Sequence, residues 1–66
     1  MTVKEMEEKF LAEINEIGVK NFAKLDAPGG MQAYDIRLAN GNRRFWKVRN
    51  SRTKEFESKL RIVEQD

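Results

Sequence analysis

Apolar residues recur at steps of three and four through the first seventeen positions: Val3, Met6, Phe10, Ile14 and Ile17, with Leu11 widening the stripe. That period lays them along one side of a helix. Thr2 and Glu5 form a capping-box pair, each side chain satisfying a backbone N–H at the other's position, which marks the start. Lys9 stands four residues from both Glu5 and Glu13, on the polar side. Gly18 follows the last apolar residue and suits the left-handed position after a helix. The pattern predicts a helix over 3–17.

From Val19 the period falls to two. Val19, Ala23 and Leu25 share one side, and Lys20, Phe22, Lys24 and Asp26 share the other. This predicts a strand over 19–27, ended by Pro28-Gly29-Gly30. Tyr34, Ile36 and Leu38 alternate with Asp35, Arg37 and Ala39 in a second, half-buried strand over 31–39. Asn40-Gly41 then signals a hairpin into a third strand over 43–49. A two-residue turn would pair 36 with 45 and send Phe45 inward. A three-residue loop, Ala39-Asn40-Gly41 with Gly41 left-handed, pairs 36 with 44 and 34 with 46 instead. The second arrangement sets Trp46 and Val48 beside Tyr34 and Ile36 and stacks Tyr34 against Trp46, so it is the one expected.

The last segment reads as a second helix. Ser51 or Thr53 caps it, Glu55 and Glu57 lie near the positive end of its dipole, and Lys59 and Arg61 come later. Phe56, Leu60 and Val63 form its buried side. The expected fold is a small α+β domain over 1–66, in the order α-β-β-β-α. It has a three-stranded antiparallel sheet with both helices on one face.

Charge sharpens this picture. Over 1–33 the balance is −2, whereas over 34–66 it is +4, and 37–54 holds seven basic residues and no acid. Such a one-sign run suits phosphates or an acidic protein surface, or else a solvated face neutralised by the acidic first helix. If both helices cover the side bearing Tyr34, Ile36, Trp46 and Val48, the other side of the sheet is bare. Its expected occupants are Lys20, Phe22, Lys24, Asp35, Arg37, Arg43, Phe45, Lys47 and Arg49. Arg37 would lie opposite Arg43, a repulsive pairing that structure alone does not call for. Rings interleaved with cations suit nucleic acid, because cations release counterions from phosphates and each ring offers a base a stacking plane. A bulge in the first strand would instead turn Phe22 inward and leave Phe45 alone, shielded by the stems of Arg43 and Lys47.

The chain has no cysteine and no histidine, which removes disulfide scaffolds, zinc fingers, haem sites and His- or Cys-based nucleophile chemistry. Ser51 reads as a cap, Tyr34 as core, and Glu5, Glu8, Glu13 and Glu16 as solvated helix positions. A 66-residue chain also has little room for a substrate pocket. No enzyme, cofactor, metal or small-molecule substrate is expected. No apolar run approaches the roughly 18 residues of a membrane span, and no signal-peptide order opens the chain, so a soluble, cytoplasmic protein is expected.

Tyr34-Asp35-Ile36-Arg37-Leu38, Asn40-Gly41 and Ser51-Arg52-Thr53-Lys54 resemble the second strand, hairpin and basic second-helix start of the double-stranded RNA-binding domain. That resemblance implies phosphate contacts from Arg52 and Lys54. Phe10-Leu11, Val19 and Glu55-Phe56-Glu57-Ser58-Lys59-Leu60 are similar to the extramembrane domain of FtsH-type AAA proteases, which implies a protein-contact role. Both likenesses rest chiefly on topology. The expected function is a non-enzymatic module that binds a polyanion, RNA or DNA, through Lys20, Phe22, Arg37, Arg43, Phe45, Lys47 and Arg49, with Arg52 and Lys54 at the rim. The alternative is a protein-interaction domain, or a small inhibitor or adaptor, using the same face or an edge strand.

Overall fold

The computed structural model describes residues 2–63. Helix α1 (Val3–Ile17) leads into strands β1 (Val19–Asp26), β2 (Met31–Leu38) and β3 (Arg43–Arg49). A single 3-10 turn, Asn50–Arg52, then precedes a short helix α2 (Thr53–Ser58). The strands form one antiparallel sheet in the order β1-β2-β3. The α-β-β-β-α order and the α+β class are therefore those read from the sequence.

Half of the capping box forms at the start of α1: the Glu5 N–H donates to Thr2 Oγ1 at 3.1 Å, while the Glu5 carboxylate accepts from the Thr2 hydroxyl at 3.3 Å in place of its backbone N–H. At its end the Gly18 N–H donates to the Ile14 carbonyl at 2.9 Å. Gly18 has φ +99°, and a Cβ there would lie 2.9 Å from Cγ1 of Val63. Glycine is required at this position by both backbone conformation and space. The hairpin is the three-residue form: Tyr34 pairs with Trp46 and Ile36 with Arg44, and Gly41 has φ +92°.

The core lies between the helices and one face of the sheet. Phe10, Leu11 and Ile14 of α1 and Phe56 of α2 pack with Val19, Tyr34, Ile36, Leu38 and Val48, and Leu60 closes the end. Both helices thus share a face. Val3, Met6 and Ile17 are more exposed than the stripe implied. Tyr34 and Trp46 are neighbours in register but their rings find other partners: Trp46 stacks on Phe10 at 4.2 Å, and Tyr34 meets Phe56 at 5.0 Å.

Two expectations are corrected. In β1 the register shifts between Val19 and Asn21, a bulge at Lys20. Val19 remains inside opposite Leu38, but Phe22 then pairs with Ile36 and Lys24 with Tyr34 on the helix side. Ala23 and Leu25 turn to the bare side with Asn21. The bulge is worth its irregularity because it gives Phe22 an edge-on contact with Tyr34 at 5.7 Å and Lys24 an ion pair with Glu57 at 3.1 Å.

The second correction concerns the last helix, which stops at Ser58. Neither Ser51 nor Thr53 caps it; Arg52 occupies the cap position without a side-chain bond. After Leu60 the chain extends, and Ile62 bridges to Val19 in parallel, the Val19 N–H donating to Arg61 O (2.9 Å) and the Val63 N–H to Val19 O (2.8 Å). Asn15 of α1 holds this segment. Its Nδ2 donates to Lys59 O at 2.7 Å and its Oδ1 accepts the Arg61 N–H at 2.8 Å, the donor that a continuing helix would use internally.

Candidate functional site: the bare sheet face

Strand alternation and the cross-strand register define the face opposite the helices as a grid. Asn21, Arg37 and Arg43 form one row, Ala23, Asp35 and Phe45 the next, then Leu25, Ala33 and Lys47, and finally Met31 with Arg49. No element of the described chain covers it. Phe45 at its centre is 63% exposed and Leu25 is 42% exposed. Between them Ala33, with its small side chain, floors a shallow depression of about 540 Å³ lined also by Lys47, with Asp26 and Trp46 completing it.

The cations of this face are not equivalent. Arg43 donates from Nε to Asp35 Oδ1 at 3.2 Å and from Nη2 to Oδ2, a two-pronged pair, and its guanidinium lies 5.8 Å from the centre of the Phe45 ring. The hydrogen bond from Arg43, reinforced by the charges of Arg43 and Arg37, holds the Asp35 carboxyl below its ordinary range. This is how the Arg37–Arg43 pairing is tolerated: Asp35 sits in the adjoining row and neutralises one of the two. Arg37, Lys47 and Arg49 are exposed and make no ion pair among the described residues. Lys20 is exposed at the bulge, beside the first row.

The other expected contact residues lie elsewhere. Phe22 belongs to the helix side and packs against the core. Arg52 also faces that side, where its Nη2 donates to Glu7 Oε2 at 2.7 Å and its Nε lies 3.5 Å from Glu55. Lys54 is exposed on α2 and shares no row with the sheet cations. Thus Arg37, Arg43, Phe45, Lys47 and Arg49 come together, and Phe22, Arg52 and Lys54 do not join them.

Two features were not legible from charge and pattern, one on the bare face and one on the helix side. Leu25 joins Phe45 because the bulge reverses β1, and alternation alone puts it on the core side. Glu7 is buried on α1, with Oε1 lacking a hydrogen-bond partner among the described residues. Its position, four after Val3 and three before Phe10, was the available signal.

The glutamates of the two helices collect on the helix side. Glu5, Glu8, Glu13 and Glu16 are exposed on α1, Arg44 reaches Glu13 at 2.6 Å, and Glu57 accepts from the Tyr34 hydroxyl at 2.7 Å. Among the described residues no group of three or more Asp or Glu is placed to hold a metal ion, and no helix is long and apolar enough to cross a membrane. No protein-family model, curated protein or solved structure matches this chain.

Proposed function

We propose that this chain is a non-enzymatic binding module whose bare sheet face engages a polyanion, RNA or DNA. One observation carries the reading: Arg37, Lys47 and Arg49 stand exposed around the exposed ring of Phe45 and make no ion pair among the described residues, while the exposed glutamates of α1 lie on the opposite side of the sheet. A polyanion approaching the helix layer is repelled and one approaching the sheet is attracted, so the charge separation orients the encounter as well as strengthening it. Arg43 contributes less, since Asp35 already holds it, and Lys20 extends the cationic margin.

The test is fluorescence anisotropy with labelled RNA and DNA oligonucleotides across a salt series. Binding whose log K falls linearly with log salt is expected, and Arg37→Ala, Lys47→Ala and Arg49→Ala should each reduce that slope by about one phosphate contact. Absence of binding even at ~50 mM salt rejects the reading. The second reading, an acidic protein partner on the same face, draws on the apolar contact that Leu25 and Phe45 offer. It takes the lead if capture of a partner survives nuclease while oligonucleotides fail.

A further inference from the structure

We infer that the preferred polyanion is a single strand, with one unpaired base seated against Phe45 in the depression floored by Ala33 and walled by Leu25. The inference rests on the polyanion reading and adds the state of the nucleic acid.

Three features of the face support it. First, the ring of Phe45 is largely exposed, and within a nucleic acid such a ring stacks only on a base whose own face is free; bases inside a duplex are already stacked on each other. Second, the depression beside the ring is open and mostly apolar, lined by Leu25, Ala33, Phe45 and Trp46 with Lys47 and Asp26 also in its lining, so it offers a flat aromatic surface chiefly apolar contact. Third, Arg43, Phe45, Lys47 and Arg49 follow one another along β3 at every second residue, about 6.8 Å apart at two strand rises. A backbone running along β3 meets Lys47 and Arg49 on one side of the seated base and Arg43 on the other. Among the described residues nothing on the bare face projects as a helix or ribbon into a duplex groove. A second copy of the chain is a poor occupant, because two such faces would bring Arg37, Lys47 and Arg49 against their own counterparts.

The experiment measures affinity at fixed low salt for three ligands of equal length: a single strand, its duplex, and an abasic single strand that keeps the phosphates. The intact single strand is expected to bind about tenfold or more tightly than the abasic one, the loss of one stacked base, with the two salt slopes equal. The duplex is expected to bind more weakly than the single strand. Phe45→Ala should weaken the intact strand by the same factor, leave the abasic strand unchanged, and be rescued by Phe45→Tyr. Leu25→Asn should act in the same direction but less strongly. Both positions are exposed, and retention of the Trp46 emission and circular dichroism of the parent verifies that the variants fold. Equal affinity for intact and abasic strands, or a duplex that binds as well, overturns the inference while leaving polyanion binding intact. Failure of all three ligands to bind overturns both.

Discussion

Glu7 and Arg52 form an ion pair of unequal members, one carboxylate buried under α1 and one guanidinium reaching it from the turn before α2. Among the described residues only one of the two carboxylate oxygens has a hydrogen-bond partner. Removing the cation leaves a buried charge unpaired, which is costly, whereas removing both partners in favour of apolar groups is often neutral or better. Arg52→Met should therefore lower the melting temperature by several degrees, and Glu7→Leu added to it should restore or exceed the parent value. Salt-dependent binding should be unchanged in the double variant, since Arg52 is occupied on the helix side. The opposite ordering in a thermal melt would show that burial of this pair is not a net cost to the fold. Tyr34 and Glu57 give a second residue-scale result. Burial, then the adjacent Glu57, pushes the Tyr34 phenol upward, and the hydrogen bond from Tyr34, aided by Lys24, draws the Glu57 carboxyl downward. A depressed carboxyl means that the unfolded chain takes up protons first, so its stabilisation is present above about pH 4 and is lost as the pH falls further. A raised phenol means that the unfolded chain loses its proton first, so stability is full below about pH 10 and declines above it. Denaturation across pH should show both limbs. Tyr34→Phe should flatten the alkaline limb, and Glu57→Gln should flatten part of the acid one.

Elements here are joined by a few long-range devices, and those devices set the limit of what the chain pattern reveals. Period and capping were sufficient for α1, and the parity of Tyr34, Ile36 and Leu38 with the position of Gly41 was sufficient for the hairpin register. The β1 bulge was legible only as an alternative, because the gain from turning Phe22 inward depends on Tyr34 and Glu57, which are distant in sequence. The stop of α2 was hidden for the same reason: the Arg61 N–H goes to Asn15, 46 residues away. Consequently the face was read correctly along β2 and β3 but with the wrong β1 side chains, Phe22 and Lys24 in place of Ala23 and Leu25. The joint between α1, β1 and the closing segment makes its own prediction. Gly18→Ala must hold a side chain at positive φ against Val63, a strain of about 1–3 kcal/mol, and should destabilise by at least that lower figure in urea unfolding. A cost below a few tenths would contradict the crowding. Packing of α1 on the sheet is tested by Phe10→Ala, which removes a buried ring stacked on Trp46 and should cost ~3–5 kcal/mol, enough to abolish a cooperative transition in so small a core.

Seen whole, the molecule is polar in a useful sense: a glutamate-rich helix layer on one side, and on the other a sheet face where Arg37, Lys47 and Arg49 surround a bare aromatic ring and make no ion pair among the described residues. The polarity follows from the fold. Three strands with two helices on one side leave a surface that no part of the described chain covers, and the basic run of 37–54 supplies every second residue to it. Helix-end contacts from Arg52 and Lys54, which the likeness to double-stranded RNA-binding domains implies, would use a different side of the same molecule. Amide chemical-shift mapping during titration with a short single-stranded oligonucleotide separates these arrangements most directly. The largest changes should fall on Arg37, Phe45, Lys47 and Arg49, with Leu25 and Ala33 following and α1 quiet. Changes centred on α1 and the start of α2, with the sheet residues unmoved, would contradict the account.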